Sequence, residues 1–352
     1  MNSEIIEING DGFSYRAHVG RGLLARAGEL LVSSATRVAL IFDETSDRLF
    51  ADTMSQSLRG FDCEKFVLPA GEKSKVIAEI ERVSNAMVSA GCDRKSIVVG
   101  VGGGLVGDIS GFIASIFQRG IPHVQVPTTL LAMVDSAIGG KNGVNLAAGK
   151  NMLGTTHQPA LVIADVDCLA SLPARELRQG YAEIIKHAII RDAEMFRALQ
   201  SGSANDWVAL IARNIRIKAQ IVSADAREMS GVRALLNFGH TVGHAIERAS
   251  DYAIPHGDCV SLGIVAAAGV SVKCAGLASS ERDEIIALLA KFDLPTRLPP
   301  NVSRAKIDDA LRRDKKFEEG AVRFVVTPKI GEAQLSRDVT MADIASAMDR
   351  LR

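Results

Sequence analysis

Residues 96–117, SIVVGVGGGLVGDISGFIASIF, give the strongest indication of the fold class. The first half of this stretch is a short β-branched run typical of a buried strand, and it passes through glycines directly into a helical pattern. Backbone amides at such a helix N-terminus can hold a pyrophosphate, because glycine lets a ligand approach the backbone closely. Gly102, Gly104 and Gly107 fit GxGxxG, but the acidic residue expected about 20 positions later is absent. A dinucleotide site and a tight strand–helix turn therefore both stay open at this point.

The same alternation of strand and helix extends over the first half of the chain. Further short apolar runs predict strands at residues 4–8, 13–19, 37–43, 64–70, 123–127 and 160–165. Helical patterns separate most of these runs, which predicts βαβ units in a mostly parallel, Rossmann-like sheet. Ligands of such sheets bind at the carboxyl ends of the strands. Asp43 and the segment GEKSK, residues 71–75, follow two of the strands and are sensible positions for cofactor contacts.

The pattern changes near Leu172 and Pro173, after which long helical periods predominate. One apolar pair, residues 322–335, predicts a hairpin, and Thr340 with Asp343 predicts a capping box at the last helix. We therefore expect an α/β domain over residues 1–170 and a mainly α-helical domain over residues 171–352. The active site is expected in the cleft between the two domains.

Composition excludes several classes of protein. The chain has 352 residues, with 41 lysines and arginines against 41 aspartates and glutamates, so no net charge attracts nucleic acid. The N-terminus lacks the apolar segment of a signal peptide, and the uncharged run at residues 259–272 is too short to span a bilayer. Five scattered cysteines without a CxxC pair argue against disulfides and a thiolate zinc site. We expect a cytoplasmic protein with neither a nucleic-acid nor a membrane partner.

Three histidines and a glutamate suggest a metal site. His240 and His244 lie four residues apart in HTVGH, so a helix would present both imidazoles on one face. His256 follows in PHGD, and Glu183 lies in YAEIIKH on an earlier predicted helix. Neutral imidazoles and a carboxylate are typical ligands of zinc or a similar ion with an open coordination position. Histidines at this spacing also occur as surface residues, so the spacing alone leaves the ligands undecided.

Charged residues are sparse in the glycine-rich part of the chain. Residues 100–159 contain 12 of the 31 glycines and five charges, which are Asp108, Arg119, Asp135, Lys141 and Lys150. Charges in such apolar surroundings indicate a binding purpose. Other candidate polar side chains near the histidine segments are Lys186, Lys218, Arg233, Asn237, Lys315 and Lys316. Each alone is typical of a solvated charge, but together they predict a small phosphorylated or carboxylated substrate.

Long segments of the chain resemble one enzyme family. The segment GGGLVGDISGFIASIFQRGIPHVQVPTTLLAMVDSAIGGKNGVNLAAGKNMLG, residues 102–154, resembles the core of 3-dehydroquinate synthases. YAEIIKHAII, RALLNFGHTVGHAIE and PHGDCVSLGI are similar to that family's metal-site segments and occur in the same order. The resemblance covers nearly the whole chain. It implies a two-domain fold, NAD⁺ in the first domain, zinc or cobalt in the cleft, and a homodimer.

The resemblance also implies a role for individual residues. The metal ligands match Glu183, His240 and His256, and His244 matches a histidine that contacts the substrate phosphate and helps to move protons. Asp135, Lys141 and Lys186 match residues that hold the substrate hydroxyls and carboxylate. The other substrate contacts match Arg119, Asn151, Lys218, Arg233, Asn237 and one or both of Lys315 and Lys316. The cofactor-binding set is Asp43, Glu72, Lys75, Gly103, Gly104, Asp108, Thr128 and Thr129, joined by Lys141, Asn151, Cys168 and Ser171.

The implied reaction converts 3-deoxy-D-arabino-heptulosonate 7-phosphate into 3-dehydroquinate and phosphate, a step of the shikimate pathway and of aromatic amino acid biosynthesis. It proceeds by NAD-dependent oxidation, β-elimination, reduction and intramolecular aldol closure, so there is no net redox change. Asn142, Cys168 and Ser171 depart from the family's usual residues, a threonine, an aromatic and a threonine respectively. Asn142, next to a substrate lysine, keeps open another sugar-phosphate cyclase, of the epi-valiolone, deoxy-inosose or aminodehydroquinate synthase type. A metal-dependent polyol dehydrogenase, which shares a similar fold, is a further alternative.

Overall fold

A computed structural model describes residues 3–31, 34–147, 149–226, 228, 230–312, 317–318 and 321–351 of the chain. Contacts between residues divide it into two compact units. The first unit comprises Met1–Pro173 and Asp206–Ser223, and the second comprises Ala174–Asn205 and Ala224–Arg352. A helical segment from the middle of the chain thus belongs to the first unit. The expected domain boundary at residues 170–171, and the cleft, stay predictions.

The described residues form thirteen strands and twelve α-helices. The strands are β1 Ser3–Gly10, β2 Phe13–Gly20, β3 Val38–Asp43, β4 Cys63–Leu68, β5 Ile97–Gly102, β6 His123–Pro127, β7 Lys141–Leu146, β8 Gly149–Thr156, β9 Leu161–Asp165, β10 Phe317–Glu318, β11 Ala321–Val322, β12 Phe324–Lys329 and β13 Glu332–Ser336. The helices are α1 Ala27–Leu30, α2 Glu44–Ser57, α3 Ile77–Ser89, α4 Gly104–Ile116, α5 Ala174–Arg191, α6 Ala193–Ser201, α7 Trp207–Ala224, α8 His240–Ala249, α9 His256–Cys274, α10 Ser279–Lys291, α11 Arg304–Arg312 and α12 Met341–Asp349.

The first unit is built on a seven-stranded sheet with the order β1-β2-β9-β6-β5-β3-β4. All neighbours pair in parallel except β1 and β2, which form an antiparallel hairpin. β5, β6 and β9 are buried along their whole length, as expected of strands covered on both faces. Apolar residues of α3 and α4, such as Val83 and Ile109, pack on the sheet in the core. The mostly parallel sheet expected from the sequence is confirmed.

The segment that carries Lys141 and Asn151 forms a separate hairpin of β7 and β8, which is not among the strands predicted from the sequence. Gly143 and Gly154 face each other across the two strands. A Cβ on Gly143 would lie 2.7 Å from the Leu153 carbonyl oxygen, so the close approach of the strands requires glycine. Glycine is depleted in strands, which is why the pattern does not look like a hairpin in the sequence.

The second unit is mainly helical, as expected. Its central helix, α9, packs against α5, α8, α10 and α12. By length and composition α9 could cross a membrane, but 78% of its apolar window is buried inside the protein, which is typical of a core helix. The hairpin of β12 and β13 and the capping box of Thr340 and Asp343 are both present, as the sequence predicts.

Candidate active site

The predicted cofactor residues follow neighbouring strands of the parallel sheet. After β3 the chain forms β4 on one side of it and β5 on the other, so the strand order reverses at β3 and β5. Open α/β sheets bind ligands at the carboxyl ends of the strands beside such a reversal. Asp43 ends β3, where its carboxylate also caps α2 by accepting from the Ser46 amide at 2.7 Å. Residues after the neighbouring strands are Glu72 after β4, Gly103 and Gly104 after β5, and Thr128 and Thr129 after β6.

The glycines of GxGxxG serve packing as well as any ligand. A Cβ on Gly102 would overlap Val106, and one on Gly107 would lie 2.7 Å from Oε1 of Gln125 on β6. These two glycines therefore let α4 lie close to β5 and β6, which is the tight-turn interpretation. Gly103 is the N-cap of α4, so the amides that begin this helix are the part suited to an anion.

Lys75 is the centre of a buried polar network in the first unit. Its side chain is 5% exposed, and Nζ forms an ion pair with Asp108 and donates to Oδ1 of Asn151 at 2.5 Å. Burial raises the pKa of Asp108, although the Lys75 charge opposes this. The structure thus brings together three residues of the predicted cofactor set that are up to 76 positions apart.

Asn145 extends this network, and sequence reasoning missed it. Its amide nitrogen donates to Oε1 of Glu72 at 2.8 Å, and its Oδ1 accepts from the Asn151 backbone amide at 2.9 Å. Asn151 has a φ of 52°, a left-handed conformation that asparagine tolerates better than most residues. Asn145 therefore joins the turn after β4 to β8 and holds Asn151 in place. Its position in GVNLAAGKN, six residues before Asn151, was the available signal.

Two predicted substrate residues also meet in the first unit. Lys218 of α7 is buried, and its Nζ lies 2.8 Å from Oδ1 and 2.6 Å from the backbone oxygen of Asp135. Asp135 lies in a π-helical turn, Ala132–Ser136, a feature often found at functional sites. Arg119 and Lys141 are exposed in this unit, and Arg119 has a φ of 72°.

The metal-site prediction involves three helices of the second unit. Glu183 of α5, His240 of α8 and His256 of α9 each offer one ligand atom, and these atoms lie within 4.8 Å of one another. Oε1 of Glu183 is 3.4 Å from Nε2 of His240 and 3.6 Å from Nε2 of His256. Glu183 is 1% exposed, so its carboxylate needs a charged partner or a metal ion.

Glycines bring these helices close enough for the three side chains to converge. A Cβ on Gly257 would lie 2.7 Å from the Gln179 Cα of α5, and one on Gly243 of α8 would lie 2.9 Å from the Cys259 carbonyl of α9. Gln179 also exchanges hydrogen bonds with Asp258, its Nε2 donating at 2.9 Å and its Oε1 accepting at 3.2 Å. The start of α9 is therefore fixed one turn before Glu183 along α5.

The hydrogen bonds of the two imidazoles suit metal binding. Nδ1 of His240 is 3.2 Å from the Phe238 carbonyl oxygen, and Nδ1 of His256 is 3.4 Å from Oε2 of Glu247. An imidazole that donates from Nδ1 to an oxygen presents the lone pair of Nε2, and both Nε2 atoms point towards Glu183. Two such nitrogens and one carboxylate oxygen form the donor set of a zinc or cobalt site.

Electrostatics at this cluster also favour a cation. Burial would raise the pKa of Glu183, but Lys186 and His240 hold it well below its usual range. Partial burial would lower the pKa of His256, yet its interactions with Glu183 and Glu247 outweigh burial and raise the pKa to about 9. Burial lowers the pKa of His240. The carboxylates thus hold a proton on His256 that a metal ion can replace, so the residues present fit a divalent ion.

Comparisons with known proteins identify the family of the chain. Residues 65–179 match the model of the 3-dehydroquinate synthase N-terminal family, and residues 180–317 match that of the C-terminal family. The 3-dehydroquinate synthase of Symbiobacterium thermophilum is 44% identical, over 96% of this chain and 98% of that protein. That of Synechococcus sp. is 38% identical, over 95% and 96%.

The chain belongs to the 3-dehydroquinate synthase family. Among solved structures, 2-epi-5-epi-valiolone synthase from Streptomyces hygroscopicus subsp. jinggangensis 5008, with NAD⁺ and Zn²⁺ bound, is 31% identical with a TM-score of 0.87, over 96% of this chain and 97% of that chain. A 2-deoxy-scyllo-inosose synthase complexed with carbaglucose-6-phosphate, NAD⁺ and Co²⁺ is 23% identical with a TM-score of 0.89, over 99% and 100%. The latter likeness shows the fold alone.

Other residues that the dehydroquinate synthase family suggests lie around the cluster in the second unit. Lys186, one turn after Glu183, is buried and forms an ion pair with its Oε2. His244 is exposed, and its ring centroid is 5.2 Å from that of His240 and 5.9 Å from that of His256. It is therefore adjacent to the predicted ligands without being one of that set.

The remaining predicted residues of this unit are less closely grouped. Arg233 and Asn237 begin and end a short 3₁₀ turn before α8, and Nε of Arg233 lies 3.2 Å from Oε1 of Glu228. Lys315 and Lys316 lie outside the described residues. In the first unit, Cys168 and Ser171 share a 3₁₀ turn after β9, where burial raises the pKa of the Cys168 thiol.

Proposed function

We propose that this chain is a 3-dehydroquinate synthase, which converts 3-deoxy-D-arabino-heptulosonate 7-phosphate into 3-dehydroquinate and phosphate with NAD⁺ and Zn²⁺ or Co²⁺ as cofactors. The observation that carries the proposal is the convergence of Glu183, His240 and His256 in a chain that shares 44% identity with a named synthase. Dehydroquinate synthase is favoured over other cyclases because the curated relatives carry that name at nearly full coverage.

In this proposal the second unit binds the metal ion and the reacting end of the substrate. A divalent ion held by Glu183, His240 and His256 would supply Lewis acidity to a substrate hydroxyl. Lys186 keeps the Glu183 carboxylate ionised and available as a ligand. His244 is exposed beside the ligands and can accept or release a proton at a ring nitrogen. Lys186 thus acts on the charge of a ligand, whereas His244 acts in proton transfer.

The first unit would bind NAD⁺ at the carboxyl edge of its sheet. NAD⁺ supplies a hydride acceptor that is restored in the same turnover. The amides that begin α4 can hold its pyrophosphate, and the carboxylates of Asp43 and Glu72 can accept hydrogen bonds from ribose hydroxyls. The ion pairs of Lys75 with Asp108 and of Lys218 with Asp135 place two buried cations in this unit. Lys218 belongs to the predicted substrate residues, and with the exposed cations Arg119 and Lys141 it supports recognition of an anionic sugar acid by local charge in a chain of zero net charge.

A phosphate-release assay tests the proposal. Purified, metal-loaded protein with the heptulosonate phosphate and NAD⁺ at a small fraction of the substrate concentration should release one phosphate per substrate. NMR should identify 3-dehydroquinate as the product, and NADH should not accumulate. His256→Ala is the matched inactive control, because it removes a predicted ligand. Absence of phosphate release by the wild-type protein would contradict the proposal.

The same assay separates the alternatives. Sedoheptulose 7-phosphate, glucose 6-phosphate and the amino analogue of the heptulosonate would be the preferred substrates of the related cyclases. A polyol dehydrogenase would instead accumulate NADH with a simple diol. The solved glycerol and butanol dehydrogenases among those compared are 16–18% identical, so their likeness concerns the fold alone.

Assembly and location complete the proposal. We propose a cytoplasmic homodimer without nucleic-acid or membrane partners. Sedimentation equilibrium at micromolar concentration tests the dimer, since a monomer of 37.5 kDa and its dimer are easily distinguished.

A further inference from the structure

Glu247 is a buried carboxylate on the same helix face as the histidines. It lies seven residues after His240 and three after His244 on α8, and it is 5% exposed. Positions three, four and seven residues apart share one face of an α-helix. Burying a carboxylate is costly unless it is paired or hydrogen-bonded, so Glu247 is expected to have a polar partner.

The imidazole of His256 is that polar partner. Oε2 of Glu247 lies 3.4 Å from Nδ1 of His256, while Nε2 of the same ring lies 3.6 Å from Glu183. A carboxylate that accepts from Nδ1 sets the tautomer and the plane of the ring, and it increases the basicity of Nε2. The His256 side chain is 36% exposed, so packing alone constrains this ring less than that of His240, which is 11% exposed.

The Nδ1 atom of His240 also faces an oxygen, but this oxygen belongs to the backbone. Its Nδ1 lies 3.2 Å from the Phe238 backbone oxygen, which the left-handed Gly239 places at the start of α8. The backbone orients one ring, whereas the side chain of Glu247 orients the other. His256, whose ring is constrained less by packing than that of His240, thus has an acidic side chain as its Nδ1 partner.

We infer that Glu247 is a positioning residue that orients His256 as an Nε2 metal ligand through a hydrogen bond to Nδ1. The inference rests on the metal site of the proposed function. A direct metal-binding role is the competing one, since His244, Glu247 and His256 also bring ligand atoms within 4.8 Å of one another. The first arrangement is favoured because Glu183, His240 and His256 together present two nitrogens and a more deeply buried carboxylate.

Glu247→Gln in the full chain tests the inference, since glutamine keeps the size of the side chain but replaces the charged carboxylate acceptor of the Nδ1 hydrogen bond with a weaker, neutral amide. The Zn²⁺ dissociation constant of the metal-free protein, measured by competition with a chelator, should rise about 10- to 100-fold. The Co²⁺ visible spectrum of the loaded variant should keep the wild-type band pattern, because the ligands are unchanged. Unfolding of the metal-free variant by heat should stay within a few degrees of wild type, which separates positioning from folding.

Two further variants make the result decisive. Asp343→Asn changes another buried acid of the second unit, one that contacts Thr340 and Lys273 rather than an imidazole, and it should leave the Zn²⁺ affinity unchanged. His256→Ala should lose more affinity than Glu247→Gln and alter the Co²⁺ bands.

If Glu247→Gln binds Zn²⁺ as tightly as wild type while His256→Ala does not, the inference is wrong and the metal site stands. If Glu247→Gln matches His256→Ala in both measurements, Glu247 is a ligand, and if His256→Ala binds normally, the metal assignment fails with the inference.

Discussion

Lys75 is a buried residue of the predicted cofactor site in the first unit, and its replacement should have a large effect. Removing one partner of a buried ion pair costs about 3–5 kcal/mol, because the other charge is left uncompensated. We therefore expect Lys75→Met to destabilise the first unit and to raise the NAD⁺ dissociation constant by at least about tenfold, a change of about 1.4 kcal/mol. Thermal unfolding and calorimetric titration with NAD⁺ measure the two effects.

Lys65→Met is the control for Lys75→Met. Lys65 pairs with Asp47 at 2.8 Å in the same unit, but its side chain is 48% exposed. Exposed pairs contribute about 0–1 kcal/mol, so this variant should unfold and bind NAD⁺ nearly as wild type does. Equal effects of the two variants would show that burial of Lys75 has no special consequence.

Asn142 is the departure from the family pattern that raised the question of substrate identity, and the structure gives it a supporting role. Its side chain is buried and donates to the carbonyl oxygens of Gly140 at 2.8 Å and His157 at 3.0 Å. It thereby ties the two ends of the β7–β8 hairpin together. A Cβ on Gly111 of α4 would overlap this amide.

We expect Asn142→Thr to lower stability by about 1–3 kcal/mol, since threonine leaves at least one of these carbonyls unsatisfied. Substrate preference over the panel of sugar phosphates should not change. Gly111→Ala should be much more damaging alone than combined with Asn142→Thr, which relieves the overlap; a double-mutant cycle on thermal unfolding measures this coupling. A change of preferred substrate in Asn142→Thr would refute the supporting role.

At the scale of elements, the approach of α8 to α9 depends on glycine. A Cβ on Gly263 of α9 would overlap the backbone oxygen of Gly239 at the start of α8. Gly263→Ala should therefore push the helices apart, at a cost of about 1–3 kcal/mol or more, as for other overpacked cores. Because α8 carries His240 and α9 carries His256, the variant should also bind Zn²⁺ more weakly.

Gly269→Ala on the same helix is the matched control. Its added Cβ would lie 3.4 Å from the Ala347 side chain, an ordinary contact, so the higher helix propensity of alanine should preserve or slightly raise stability. Urea unfolding and chelator competition on both variants provide the comparison. Similar losses in both would mean that the close crossing is unimportant.

The capping box of α12 predicts a dependence on pH. Lys273 and Thr340 hold the pKa of Asp343 at about 2, below its ordinary value of 3.8. A group whose pKa is lower in the folded state stabilises the fold above its unfolded pKa, and this contribution disappears as the pH falls through the folded pKa. We expect Asp343→Asn to lower stability by about 1 kcal/mol at pH 7, as for lost caps, with a difference that shrinks between about pH 4 and pH 2.

Thermal unfolding across pH measures this difference, with Asp349→Asn as the control. Asp349 lies on the same helix and pairs with Arg304, but its side chain is 72% exposed. Its replacement should change stability by less than about 0.5 kcal/mol. A pH-independent loss in Asp343→Asn would mean that the carboxylate charge plays no part.

At the scale of the whole molecule, the two cofactors should stabilise different parts of the chain. A ligand at 100 times its dissociation constant stabilises the state that binds it by about 2.7 kcal/mol. Zn²⁺ should therefore slow amide hydrogen exchange most in α5, α8 and α9, and NAD⁺ most in the segments after β3, β4, β5 and β6. Exchange measured by mass spectrometry tests this, and protection of the same peptides by both ligands would contradict the assignment of the sites to separate units.

Much of this arrangement can be predicted from the sequence, because it depends on residue type and local period. Alternating apolar runs and helical patterns predict the parallel sheet, and the HTVGH and PHGD segments identify His240 and His256 as metal-ligand candidates. The β7–β8 hairpin was missed, since its strands contain glycines that only cross-strand contact explains.

The fold class, the candidate ligands and the family can all be inferred from the sequence alone, since each depends on local pattern or on long shared segments. Which atoms come into contact depends on the tertiary structure. It brings Nε2 of His240 and His256 near Glu183, places Glu247 beside Nδ1 of His256, joins Asn145 to Glu72, and turns Asn142 against Gly111. Those contacts join side chains on different elements, and a hydrogen bond depends on distances of a few tenths of an ångström that no spacing along the chain specifies.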